Sequence, residues 1–308
     1  MALNTSVAGV ALGGYVCNAS GPRDATLEEL EVIANSGSSA IVMKSCTREP
    51  REGNEEPRYS RLAFGAIQSM GLPNLGFKAY VGFASQLAGR GKPVVASVAG
   101  LSLEDFVLMV GAFQDSAVDL IEVNLSCPNL AGKPPVAYDF SRTAEVLDAV
   151  CGLGSKPVGL KLPPYYDFVH HDAACGLIAS HRVGFVTCIN SIGNALAINP
   201  ETEAPVIRPK GGFGGLCGDY IKPVALANVR AFFERLAGKV SIFGVGGVKS
   251  GSDAFEFLLA GADAVQVATA FENEGPACFG RIASELELIL QRKGYSSVDG
   301  VKGRLKRV

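Results

Sequence analysis

Short apolar runs alternate along the chain with longer stretches whose apolar positions recur at helical spacing. The short runs are Tyr15 to Ala19, Ala40 to Lys44, Val94 to Ala99, Leu120 to Leu125, Val158 to Leu162, Phe185 to Asn190, Val240 to Val245 and Ala264 to Ala268. Rich in Val, Ile and Phe and almost without alternation, they read as strands covered on both faces. The helical period runs over Thr26 to Asn35, Phe77 to Leu87, Leu103 to Phe113, Ser141 to Val150, Val169 to His181, Lys222 to Leu236, Ser250 to Leu259 and Pro276 to Arg292. Strands each followed by a helix, eight times over, predict an α/β fold: a (β/α)8 TIM barrel forming one domain over residues 1–308. A doubly wound sheet competes, but the GxGxxG turn of a dinucleotide site does not follow the first strand.

Three connections far exceed the usual few residues: Ser45 to Gly76, Cys127 to Asp139 and Ser191 to Ile221. Each follows a strand, so in a barrel all three project from the C-terminal face, where barrel enzymes build their sites.

Composition removes several functions. With 28 basic and 30 acidic side chains the net charge is -2, which gives a polyanion or a membrane surface little to attract. No apolar stretch has the length of a membrane span, and the N-terminus lacks the basic start of a signal peptide. The eight cysteines are scattered singly, which suits reduced thiols and a cytoplasmic protein, and neither they nor His170, His171 and His181 have the spacing of a metal site. The histidines read as surface residues. Glu49 to Arg61 reads as a solvated loop with a hypothetical role, together with Ser191 to Ile221, at a subunit interface or as a lid, and the basic C-terminal RLKRV reads as a solvated tail.

Polar residues gather where the strands end. Asn124-Leu125-Ser126-Cys127-Pro128-Asn129 sets a thiol between amide side chains. Lys44 and Lys161 occupy equivalent places near the ends of two apolar strands, and an anion between them explains both. Glycines at Gly244 to Gly247 and Gly211 to Gly218 expose backbone N–H groups; those after strand seven stand where barrels bind phosphate, which points to a phosphate-bearing cofactor.

NLSCPN, SMGLPN (Ser69 to Asn74), KPPVAYDF (Lys133 to Phe140), KLPPYYD (Lys161 to Asp167), NSIGN (Asn190 to Asn194) and GFGGLCG together resemble the fumarate-linked class 1A dihydroorotate dehydrogenases from about Cys17 onward. The resemblance implies an FMN enzyme, usually a homodimer, that oxidises (S)-dihydroorotate to orotate in pyrimidine biosynthesis and reduces fumarate to succinate. It implies Cys127 as general base and Lys161 as the second catalytic group. Substrate would be held by Lys44, Gln68, Met70, Gly71, Leu72, Asn124, Asn129, Asn190 and Ser191. The flavin would meet Ala19, Ser20, Gly21, Lys44, Ser45, Asn124, Lys161, Ile189, Asn190 and Ser191, with Gly218, Val245, Gly246, Gly247, Ala268 and Thr269 toward its phosphate.

Three positions depart from the family pattern. Gln68 stands where the family has asparagine, Cys217 where GFGGLGG has glycine, and Ala195 follows NSIGN in place of glycine. The Gln68 departure keeps a paralogous flavin oxidoreductase, acting on another cyclic amide or acceptor, as an alternative. A non-catalytic flavin-binding scaffold is the third reading.

Overall fold

The computed structural model describes residues 3–126 and 135–307. Its central sheet has eight parallel strands: β1 (Val16–Asn18), β2 (Ile41–Cys46), β3 (Val94–Val98), β4 (Leu120–Asn124), β5 (Val158–Leu162), β6 (Val183–Cys188), β7 (Ser241–Val245) and β8 (Ala264–Val267). They pair in the order β1-β8-β7-β6-β5-β4-β3-β2, the succession of a TIM barrel. Between β1 and β2 side chains do most of the closing. Asn18 bonds both the N–H and the C=O of Val42, Ser38 Oγ accepts the Asn18 N–H at 3.1 Å, and Ser39 N–H reaches Val16 O.

Helices return the chain between strands, and several of them start at a capping side chain. Thr26 and Glu29 form a reciprocal capping box at the head of Leu27–Ala34. Ser102, Asp139, Asp167 and Ser250 cap Leu103–Gln114, Phe140–Val150, Phe168–Ser180 and Gly251–Ala260, each side chain accepting the backbone N–H three residues on.

Alternation along the strands divides the core. Outward residues such as Ile121, Val123, Leu160 and Val186 pack under the helices. Inward residues at the lower end, among them Val42, Val95, Leu120, Phe185, Phe243 and Ala264, form an apolar plug. Gly159 makes room for it, since a Cβ there would stand 2.4 Å from the Phe185 ring. The N-terminal hairpin Thr5–Val7/Val10–Leu12 adds Val7 and Leu12 to the same cluster. One layer higher the inward positions turn polar: Ser97, Glu122, Lys161, Thr187 and Gln266, all buried.

The long connections carry structure that the apolar pattern did not predict. Tyr59–Leu62 and Gly65–Gln68, after β2, join Ile192–Leu196 and Phe213–Gly218, after β6, in a four-stranded antiparallel sheet. Glu49 to Arg61 has no buried residue, as a solvated stretch requires, but it is not a free loop. Arg51 exchanges backbone hydrogen bonds with Asn74, and Asn54 bonds the Ser69 carbonyl, so this stretch braces the Ser69 to Asn74 segment. His171 also departs from the surface reading: it is buried, with Nδ1 facing the Asp167 carbonyl and Nε2 facing Asn228 Oδ1. Helix Phe168–Ser180 turns this histidine against its neighbour, a contact the local sequence does not reveal.

Candidate active site

Every described residue expected at the site lines one cavity of about 910 Å³ at the C-terminal mouth of the barrel. That volume lies near the top of the roughly 300–1,000 Å³ range of small-molecule sites and leaves room for a cofactor and a substrate together. Ala19, Ser20 and Gly21 enter from the end of β1, Lys44 and Ser45 from β2, Asn124 from β4 and Lys161 from β5. Ile189, Asn190 and Ser191 follow β6; Val245, Gly246 and Gly247 end β7; Ala268 and Thr269 follow β8. Gln68, Met70, Gly71, Leu72 and Gly218 come from the antiparallel sheet and its continuation. Cys127 and Asn129 lie outside the described residues.

The amides at the mouth are linked. Asn124 Oδ1 accepts the Ser126 hydroxyl at 2.9 Å, and Asn190 Nδ2 donates to the same hydroxyl at 2.9 Å. Asn124 Nδ2 donates to Ser45 Oγ at 3.1 Å. Ser45 Oγ also meets Ser20 Oγ at 3.0 Å and Ser97 Oγ at 2.7 Å, and Ser97 bonds Glu122, which accepts Thr187 Oγ1 from the other side. A chain of hydroxyls thus runs from the cavity wall to a fully buried carboxylate. Glu122 and Gln266 were missed in the sequence, although both carry the same signal as Lys161, a polar side chain inside an apolar strand; Ser126 was named within the hexapeptide but given no role.

Lys161 is only 4% exposed, and the hydrogen bond it makes to the described residues runs from Nζ to Gln266 Oε1 at 3.4 Å. An ammonium has three donors, so this contact leaves capacity for a ligand acceptor. Gln266 Nε2, buried at the cavity wall, has no hydrogen-bond partner among the described residues. An orphaned amide donor at such depth costs free energy, and an acceptor atom on a planar cofactor would relieve it. Gly246 and Gly247 adopt φ of +127° and +77°; a Cβ on Gly247 would stand 2.8 Å from Lys222 Cβ, so the backbone itself forms this wall. Charged and amide donors at one side and bare backbone at the other suit a phosphate-bearing flavin.

Gln68 is drawn into the same wall. Its Oε1 accepts the Met70 N–H at 3.1 Å and its Nε2 reaches Ser191 Oγ at 3.3 Å, tying the two long connections together. Cys217 lines the cavity with its thiol against the Ala66 carbonyl at 3.3 Å, and burial pushes its pKa up.

A family model described as dihydroorotate dehydrogenase matches residues 2–290. The chain belongs to the dihydroorotate dehydrogenase family. It is 47% identical over 309 residues to dihydroorotate dehydrogenase A (fumarate) of Lactococcus lactis subsp. cremoris, covering 99% of both chains. It is likewise 47% identical over 295 residues to dihydroorotate dehydrogenase (fumarate) of Kluyveromyces lactis, covering 94% of each. Among solved structures, ligand-free DHODH from Eimeria tenella superposes with a TM-score of 0.86 at 19% identity, over 99% of this chain and 92% of that one, a likeness of fold. Dihydroorotate dehydrogenases are flavoproteins, in keeping with the donors that converge here. No described helix is long and apolar enough to cross a membrane.

Proposed function

We propose that this chain is an FMN-dependent dihydroorotate dehydrogenase that oxidises (S)-dihydroorotate to orotate in de novo pyrimidine biosynthesis and uses fumarate as electron acceptor. The observation that carries the reading is the convergence of Lys44, Lys161, Asn124, Asn190 and Gln266, whose Nε2 has no partner among the described residues, on one cavity, in a chain whose relatives bear that activity in their names.

Oxidation removes a proton from carbon 5 of the substrate and a hydride from carbon 6. FMN, when bound, would supply a two-electron carrier between the two substrates, and fumarate would need a proton besides the hydride to become succinate. We assign the proton to Cys127: a free thiol with a pKa of about 8.5 is mostly protonated at neutral pH, so the site must favour its thiolate for it to serve as base. Lys161, fixed in a nearly dry wall, places positive charge where reduction adds negative charge. Lys44 is assigned to the substrate carboxylate and the flavin together. The amides of Asn124, Asn129 and Asn190 both donate and accept, which matches the alternating N–H and C=O groups of a pyrimidinedione. Met70, Gly71 and Leu72 offer backbone groups on the same side, with Gln68 and Ser191 closing the gap between them. Gly218, Val245, Gly246, Gly247, Ala268 and Thr269 are assigned to the phosphate side, and Ala19, Ser20, Gly21, Ser45 and Ile189 to the ring system.

One pocket then serves both half-reactions in turn, which predicts ping-pong kinetics. We further propose one cytoplasmic barrel unit acting as a homodimer, supported by the exposed Leu196, Ile198 and Phe213 grouped on the loop strands. Anaerobic titration of the yellow protein with dihydroorotate tests the reading: the flavin bleaches, and fumarate restores it faster than oxygen, NAD or a quinone. A flavin that stays yellow would favour the paralogous oxidoreductase suggested by Gln68.

A further inference from the structure

Between β1 and the first helix lies a buried acid that the proposed chemistry does not use. Asp24 is fully buried, although its neighbours Arg23 and Ala25 both line the cavity. Its Oδ2 accepts the Gly21 N–H at 2.7 Å, while Oδ1 has no hydrogen-bond partner among the described residues and lies 3.8 Å from Lys44 Nζ. One further bond joins the two residues, the Asp24 carbonyl accepting the Lys44 N–H at 3.1 Å, and Lys44 Nζ donates to the carbonyl of Gly21 in the same turn. Arg23 holds a left-handed φ of +59°, with its guanidinium bonded to the Glu272 carboxylate and carbonyl. A strained turn is therefore wrapped around one ammonium and tied at both ends. Asparagine or serine could cap Gly21 without burying a charge, so the carboxylate needs another reason.

We propose that Asp24 is a positioning residue for Lys44, holding its ammonium at the cavity rim and offsetting part of its charge, so that the electron affinity of the bound flavin follows the ionisation of Asp24. This rests on the reading of the cavity as a flavin site. The groups that face Asp24 are Lys44 on β2, Glu29 on the first helix, Tyr80 on the second, and Lys161 across the barrel on β5. Burial is the strongest influence and pushes the acid up to about 7, with Lys44 the main opposing charge. Reduction brings negative charge toward Lys44. Ionised Asp24 opposes that charge, and protonated Asp24 does not.

The test is the midpoint potential of the flavin-loaded protein from pH 5.5 to 8.5, set by reference dyes and so independent of dihydroorotate. At pH 8 and fixed ambient potential, Asp24→Asn is expected to raise the reduced-to-oxidised ratio about tenfold, which for a two-electron couple is about 30 mV. The difference closes as the pH falls below 6. In a Lys44→Met background the effect disappears, because without its main counter-charge Asp24 stays protonated. A purely structural Asp24 would alter flavin affinity and leave the potential unmoved. For wild type, infrared difference spectra with carbon-13 aspartate are expected to show a carboxyl gaining a proton on reduction near neutral pH. Potentials that coincide for wild type and variant across the range, or reduction without carboxyl protonation, overturn the proposal alone. A chain that takes up no flavin overturns the functional reading along with it.

Discussion

The side-chain amide of Asn18 bonds both backbone groups of Val42, donating from Nδ2 to the carbonyl at 2.7 Å and accepting the N–H on Oδ1 at 2.9 Å. At the seam of the barrel one side chain thus replaces a rung of the sheet. Asn18→Ala leaves two fully buried backbone groups unpaired, at roughly 1–3 kcal/mol each. Urea unfolding is expected to show a midpoint lowered accordingly with an unchanged slope. Flavin content should fall with it, because Ala19, Ser20 and Gly21 follow directly.

Lys161→Met removes the buried ammonium while keeping the bulk of the stem. Loss of one preorganised charge at a site of developing charge costs roughly 10²–10³-fold in rate. Stopped-flow reduction of the flavin by dihydroorotate, under anaerobic conditions, is expected to slow by that factor. Circular dichroism should remain that of wild type, since Lys161 makes a single long hydrogen bond to the described residues.

Gln68→Asn shortens the side chain that joins the Met70 N–H to Ser191 Oγ. Asparagine cannot span both, and one lost hydrogen bond is worth about 0.5–1.5 kcal/mol. The KM for dihydroorotate is expected to rise roughly three- to tenfold with kcat little changed, measured by fumarate-linked steady-state assay. An unchanged KM would remove Gln68 from the substrate contacts.

Thiol reactivity separates Cys127 from the core cysteines. Burial, aided by the nearby Glu122 carboxylate, raises Cys17 to about 12, and burial drives Cys46 and Cys188 upward as well. At pH 8 a thiol at 12 is thiolate to the extent of about 10⁻⁴, so raising the pH through the physiological range does not activate it. Iodoacetamide labelling of the native protein, read by mass spectrometry, is expected to spare these three and to modify Cys127. The midpoint of that rate against pH gives the Cys127 pKa in the folded site.

The barrel was legible because its strands are long enough runs of Val, Ile and Phe to stand out, and their limits move by only a residue or two between pattern and structure. Lys44, Lys161 and the asparagines were legible for a related reason: polar side chains at the ends of apolar strands have few places to go. The antiparallel sheet was not. Its strands GAIQ and FGGLCG lack alternating bulky side chains, and each finds its partner far away in sequence. Asp24 reads as an ordinary turn residue before a helix, and only the packing of Lys44 against it reveals a buried charge.

The sheet over the mouth draws its strands from the connections after β2 and β6, which stand on opposite sides of an eight-stranded barrel. Gly65 and Gly218 pair there so closely that a Cβ on Gly65 would stand 2.0 Å from the Cys217 carbonyl oxygen. The two segments are consequently one inheritable unit. A chimaera that transplants either segment alone from a relative of different specificity breaks this junction, whereas moving both together carries the four-stranded sheet intact to a new barrel.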